Sequence, residues 1–531
     1  MAISLSLPRG QLENRLHGLE TEYGVQVINA PKNFSAEDLR RIAALNQDYF
    51  RSFGGFRSHS DLAAVRLVEN IGARFGLFSS SPYFFLPNGA LKYLDEGFHP
   101  EYSTPECSLI RNTVHGDLAG EILLEEEVGM LERAFQDAGI KSRVNVFKNN
   151  SDTAHLFNPL DREDRSYGCH EDYTAKRDVS WQRYAEALMP FLVTRQIYSG
   201  AGRIARVNSS GDVVYHIGAR SGFFYREMGM KTMGENRSII NTRDEPHADA
   251  ERYRRLHVIT GDSNMSPVQV YLKLGTTAMV LSLIEEGLID DAFITRVGLK
   301  NPVYAIRQVA RDMTCKQEIL DGLESKLSAL WIQRQIFELA LKHRKLFSAQ
   351  YQPILDKWGQ MLDILEKDPM DAGMELDWVG KWIAIDNYVS RGVKDIHKQV
   401  AIDLKYHNII QGRGLVRGVI DFDEGPLAID QELVRRLVDY PPENEERARF
   451  RGYFEHLMLA LGLKWDDNWR TDWVYISKGQ YGLPGGRDTK LLKEIHGYDQ
   501  TEMKDFFLRQ IPKEKLGDPK VQEILTLAFP N

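Results

Sequence analysis

The chain has 531 residues, with 67 Lys plus Arg against 75 Asp plus Glu and a formal net charge of −8. That length supports a large core with a smaller appended unit, and the acidic balance argues against bulk nucleic-acid binding, which needs concentrated positive charge. With 43% hydrophobic and 27% charged residues, wholesale disorder is excluded.

In chain order, residues 18–28 alternate as a strand, and Ser35 with Glu37 opens an amphipathic helix. Residues 51–82, rich in Gly, Ser and Phe, read as a long insertion or mobile loop with a short helical stretch from Asp61 to Asn70. Phe84 to Asp95 carries a Pro-Asn-Gly turn signal and predicts a hairpin. Leu124, Val128, Leu131 and Phe135 recur at helical spacing within 117–138, with Gly139 as the stop. A strand over 143–148, a helix over 179–198 and strands over 204–207 and 212–217 follow. Ser266 and Pro267 start a helix that runs to Gly287. Residues 325–367 are helical, broken near Pro353. Pro441-Pro442 and the charged run after them mark a boundary, so 1–438 is expected to form the main domain and 439–531 a small C-terminal one.

Cys107, Cys169 and Cys315 lie far apart without a CxxC pair, so neither a disulfide framework nor a cysteine zinc site is expected and a reducing cytoplasm fits. The N-terminus lacks the basic and apolar regions of a secretory signal. No apolar run approaches bilayer length, the best being Thr276 to Ile284, so no membrane partner is expected.

Glu20 and Glu22 stand two apart on a strand and therefore share a face, as do Tyr93 and Asp95, with Glu101 close behind. Carboxylates converging from neighbouring strands suit Mg²⁺; a solvated sheet face has the same spacing. The stretch from Ile239 to Met265 mixes Arg243, Arg252, Arg254 and Arg255 with Asp244, Glu245, Asp249 and Asp262, and adds His247 and His257. Arginines beside carboxylates can clamp phosphate and metal together, although alternating charge also marks a salt-bridged surface. His170 and Glu171 follow a Tyr-Gly, but no nucleophile elbow accompanies them and no hydrolytic triad is expected. No Walker-type loop is present in the sequence, so phosphate binding would need another architecture.

The stretches LETEYG (19–24), NGALKYLDEGFHPEYSTPEC (88–107), KNNSD (148–152), SYGCHEDY (166–173) and INTRDEPHADAERYRRLHVITGDSNM (240–265), with DLKYHNI (403–409), RARFRG (447–452) and DWV (472–474), resemble the Pup ligase and depupylase family. The resemblance runs through nearly the whole chain. It implies an α+β fold similar to glutamine synthetase, a curved antiparallel sheet cradle backed by helices with a small C-terminal domain, and it implies ATP and Mg²⁺. By position, Glu20, Tyr93 and Glu101 resemble the family's metal-binding residues, Asp95 its catalytic base, Thr104 an ATP contact and Trp473 a C-terminal residue beside the nucleotide. Arg243 and His257 fall in its phosphate and metal region.

Two reactions are implied. A ligase would phosphorylate the C-terminal glutamate side chain of a small disordered Pup-like modifier and pass it to a substrate lysine; a depupylase would hydrolyse that bond or deamidate a terminal glutamine. SYGCHEDY, GDSNMS, the DLKYHNI-QGRG stretch and DWV look more like ligases, whereas LKLGTTA and the length of 51–82 look more like depupylases. Three departures stand out: Leu91 where ligases carry an ATP-contacting arginine, with Lys92 adjacent; Gly218-Ala219-Arg220 in place of Ser-Gln-Arg; and Asp172 in place of asparagine.

Overall fold

A computed structural model describes residues 14–29, 58–75, 83–151, 166–207, 213–232, 234–319, 327–392, 395–416, 424–462, 469–471, 475–478, 488–492 and 497–530. The helix expected after Ser35 and the connection between the strands expected over 204–207 and 212–217 lie outside these residues.

The strands are β1 (His17–Glu22), β2 (Gly24–Ile28), β3 (Tyr83–Phe85), β4 (Leu91–Asp95), β5 (His99–Ser103), β6 (Arg143–Phe147), β7 (Cys169–Lys176), β8 (Arg203–Val207) and β9 (Val213–His216). Then come β10 (Arg226–Gly229), β11 (Ser238–Asn241), β12 (Tyr253–Val258), β13 (Trp469–Thr471), β14 (Tyr475–Lys478) and β15 (Asp488–Leu491). Eight of them form one sheet in the order β10-β11-β12-β7-β1-β5-β4-β3. All neighbours are antiparallel except the edge pair β10–β11, which is parallel. Strand β7 displays the period-2 logic most clearly. Cys169, Glu171, Tyr173 and Ala175 are buried on the rear face, while His170, Asp172, Thr174 and Lys176 are half-buried on the other.

The principal helices are α1 (His59–Phe75), α2 (Ile110–Asp137), α3 (Trp181–Thr194), α4 (Pro267–Glu285), α5 (Ala329–Lys342), α6 (Tyr351–Lys367), α7 (Asp377–Val389), α8 (Glu446–Ala460), α9 (Gln500–Gln510) and α10 (Pro519–Ala528). Helix α2 covers the rear of β1, where the Thr21 hydroxyl donates to Asp117 at 3.2 Å and Thr113 hydrogen-bonds the His17 ring at 2.9 Å. Helix α4 is the one helix among the described residues long and apolar enough to cross a membrane, and 94% of that window is buried inside the fold. Apolar residues all round are what a core helix requires.

Four sequence expectations change. The single strand over 18–28 splits at Tyr23, with β1 entering the large sheet and β2 pairing with β6. The short helical stretch expected from Asp61 to Asn70 extends over His59–Phe75 and belongs to the core rather than to an insertion: α1 buries Leu62, Ala63, Ala64, Val65, Leu67, Val68 and Ile71 in the main cluster. Helix α2 starts at Ile110, seven residues before the expected 117; its first turns bury polar residues such as Asn112, Thr113 and Asp117, which carry no apolar signal. The helical break falls between α5 and α6 rather than at Pro353. Pro353 sits in the first turn of α6, where its missing N–H would have had no intrahelical partner.

Buried apolar side chains form two clusters. The larger draws on residues from Leu19 to Val438, and the smaller on residues from Phe450 to Phe529 contributed by α8, α9, α10 and β14.

Candidate active site

Register alone assembles a polar face. Glu22 pairs with Glu101 and Glu101 with Tyr93; on the other side Glu20 pairs with His170, and Asp172 with His257. Directly opposite residues share a face, so Glu20, Glu22, Tyr93, Asp95, Glu101, His170, Asp172, Arg255 and His257 line one surface. Three strands bring carboxylate oxygens of Glu22, Asp95 and Glu101 within 4.8 Å of one another, and Glu20, His170 and His257 form a second such group.

The two groups differ electrically. In the first, burial pushes Glu22 up to about 8, with Asp95 adding repulsion, and pushes Glu101 well above the carboxylate range, with Glu22 and Asp95 adding to it. Asp95 rises to about 6, again chiefly by burial. Burial likewise holds Tyr93 well above the usual phenol range, next to the Glu101 carboxylate to which it hydrogen-bonds. In the second group burial alone would raise Glu20, but Arg255 and contacts from His170 and His257 outweigh it and hold Glu20 well below the usual range. Burial drives His170 down to about 3, so it is neutral beside Glu20 at 3.4 Å. Arg255 donates to Glu20 at 2.8 Å and grips Asp172 from Nε and Nη2, at 2.5 and 3.1 Å.

Local geometry explains these positions. Gly97 and Phe98 have φ of 83° and 64°, closing the tight turn that sets Asp95 opposite His99. Phe98 adopts this left-handed conformation with its side chain buried in the core. Gly168 N donates to Glu22 at 2.6 Å, and a Cβ there would stand 2.5 Å from both Glu22 Oε1 and His170 Nε2. Asp262 accepts from the backbone amides of Ala201, Ala219 and Arg220 at 2.9, 2.6 and 3.0 Å, fixing Arg220 near Glu22.

Of the expected site residues, Glu20, Tyr93, Asp95, Glu101 and His257 converge. Thr104 borders the face and its hydroxyl accepts from Leu19 N at 3.0 Å. Arg243 does not join: it is exposed and paired with Glu245 at 2.8 Å. Both arginines lie in the same charged run, but Arg243 follows the end of β11 while Arg255 is carried inward by β12. Trp473 lies outside the described residues. Sequence reasoning paired Glu22 with Glu20 as carboxylates suited to Mg²⁺ but left it out of the assigned site, weighed His170 only for a hydrolytic triad, and named Asp172 and Arg220 only as parts of departures from the family pattern.

The departures also find reasons. Leu91 is buried, and Lys92 points to the rear, 3.6 Å from buried Glu127, so it cannot stand in for an arginine at 91. At Gly218 a Cβ would come within 2.2 Å of Ser221 Oγ and 2.3 Å of Gln196 Oε1.

Next to Glu20 opens a cleft lined among others by Gly18, Thr104, Asp172, Pro246, Ala248, Arg255 and Arg447. A model of the family described as Pup-ligase protein matches residues 15–474.

The chain belongs to the Pup-ligase family.

A Pup–protein ligase of Mycobacterium bovis is 35% identical over 470 residues, covering 88% of this chain and 93% of the relative. One from Mycobacterium tuberculosis matches with the same figures. Among solved structures, the complex between Prokaryotic Ubiquitin-like Protein Pup and its Ligase PafA matches with TM-score 0.75 and 30% identity, over 97% of this chain and 95% of that one. The Pup Ligase PafA in complex with ADP matches with TM-score 0.68 and 31% identity, over 86% and 94%. The expected sheet cradle backed by helices is the fold of this family.

Proposed function

We propose that this chain is an ATP-dependent ligase that joins the C-terminal glutamate side chain of a Pup-like modifier to substrate lysines through an acyl phosphate. The observation that carries the reading is the family match over nearly the whole chain, joined to a sheet face holding two clusters suited to cations. The hydrolytic alternative draws no support from the relatives named above, which are ligases.

Glu22 and Glu101 offer hard oxygen donors, and burial raises both above the ordinary carboxylate range, an opposition to their charged forms that Mg²⁺ would offset. Glu20 and His257, with His170, would hold a second ion. When bound, Mg²⁺ would offset the charge of the phosphates. Tyr93 remains a neutral phenol that orients Glu101. Arg255, gripped on the cradle face by Glu20 and Asp172, and Arg220, fixed near Glu22, would supply positive charge to a transferring phosphoryl group, and Thr104 would border the nucleotide.

A glutamate carboxylate is a poor electrophile; phosphorylation converts one oxygen into a leaving group. The substrate lysine arrives as an ammonium and must lose a proton before it attacks. Asp95, held near 6, accepts it. The amine then forms the isopeptide bond and phosphate departs with one former carboxylate oxygen. Residues 1–438 would form the catalytic domain, and 439–531 a small C-terminal domain that contributes to the nucleotide site. The three cysteines, free and buried, suit a reducing cytoplasm.

Label tests this chemistry. With ¹⁸O in the modifier's terminal side-chain carboxylate, one labelled oxygen should appear in the released phosphate. Conjugation that yields unlabelled phosphate would refute the acyl-phosphate route.

A further inference from the structure

The row of opposed residues that brings Glu22 to Glu101 does not stop at β4. Glu101 pairs with Tyr93, and Tyr93 pairs with Tyr83 on β3, the outer strand of the large sheet among the described residues. Directly opposite residues share a face, so Tyr83 stands on the same surface as Tyr93 and Asp95. Tyr83 is 39% exposed, whereas Phe84 and Phe85 after it are buried. Its ring lies against Tyr93 with centroids 5.7 Å apart and edge-on to Phe85 at 6.0 Å.

Asp95 follows two residues after Tyr93 on β4, which makes it the diagonal neighbour of Tyr83. Diagonal neighbours on one face are about 7–8 Å apart, within reach of aromatic and long side chains. An aromatic ring carries a negative face, and Asp95 with the exposed Glu96 after it adds carboxylates. This corner of the sheet therefore suits a cation. Across the sheet, on β12, Arg255 meets Glu20 and Asp172 beside the cleft and supplies the charge that suits an anion. In the proposed reaction the nucleotide and the modifier's glutamate are anionic, and the acceptor lysine arrives as a cation. Lysine also carries a four-carbon stem that lies along apolar surface.

We propose that Tyr83 is the platform on which the acceptor lysine docks, its stem and ammonium against the ring and its nitrogen directed to Asp95. The inference rests on the ligase reading and adds to it a residue that selects the acceptor.

Hydroxylamine separates this role from mere packing, because it attacks an acyl phosphate yet has no aliphatic stem and is neutral at pH 7. With ATP, Mg²⁺ and a Glu-ended modifier, the full chain should give the hydroxamate from hydroxylamine and the isopeptide from a lysine peptide. Tyr83→Leu should raise the KM for the lysine peptide at least ~5-fold and leave kcat, the hydroxamate rate and ADP affinity within ~2-fold. Tyr83→Phe keeps the ring and should hold every value within ~2-fold. Tyr83→Lys sets a like charge in the corner and should raise the lysine KM further than Tyr83→Leu, again sparing the hydroxamate. Equal losses with both amines in Tyr83→Leu and Tyr83→Lys, as a purely structural ring would give, would overturn the inference while leaving the ligase reading intact. So would an unchanged lysine KM in both variants. If the unaltered chain forms neither product, the ligase reading falls and the inference falls with it.

Discussion

Raising pH should strengthen Mg²⁺ binding to the metal-free protein and expose a stability cost hidden in the three-carboxylate cluster. Burial and Asp95 push Glu22 up to about 8 from 4.5, which corresponds to roughly 5 kcal/mol of opposition to its charged form. At pH 7 such a group is protonated in roughly nine molecules of ten. Its folded pKa lies above its unfolded one, so its contribution to stability is fully present below about pH 4.5 and is lost as pH rises through about 8. A divalent cation reverses this by stabilising the carboxylate, and must displace the proton to bind. Thermal unfolding at about pH 6 and about pH 8.5, with and without Mg²⁺, reads both effects. The metal-free midpoint should fall toward the higher pH and the Mg²⁺-induced rise should be larger there. Calorimetry in buffers of different ionisation enthalpy should find protons released as the ion binds near pH 7. An Mg²⁺ effect equal at both pH values, with no proton release, would refute the assignment of Glu22 and Glu101 as a cation seat.

Asp95→Asn should lower conjugation at least ~100-fold while ADP affinity stays within ~3-fold, and it should also move the Mg²⁺ pH response downward by removing a charge that repels Glu22; turnover and calorimetry on one preparation check both. Gly168→Ala places a methyl 2.5 Å from Glu22 and His170, so it should cost about 1–3 kcal/mol in denaturant unfolding and weaken Mg²⁺ binding. Glu445→Ala removes the cap from α2 and leaves three buried donors unmet; a loss of about 1–3 kcal/mol is expected, with Glu445→Gln milder.

Much of the site was legible because strand periodicity assigns faces. Glu20 and Glu22, and Tyr93 and Asp95, could be placed together from spacing alone. What spacing cannot supply is register across distant strands. His170 meets Glu20 only because β7 pairs with β1, and Arg255 rather than Arg243 arrives because β12 pairs with β7. Position in a charged run does not distinguish the two arginines; pairing does. Helix α1 was visible as a short helical stretch from Asp61 to Asn70, but the Gly- and Ser-rich composition of 51–82 concealed its place in the core. The role of Glu445 was beyond reach altogether, because its partners lie more than three hundred residues earlier in the chain.

The most direct measurement combines the chain with ATP, Mg²⁺, a Glu-ended modifier and a lysine-bearing acceptor, and follows conjugate and ADP together. Isopeptide conjugate forming with one ADP per bond is the predicted result. Release of modifier from a preformed conjugate, without conjugate formation and without net ATP turnover, would contradict the account.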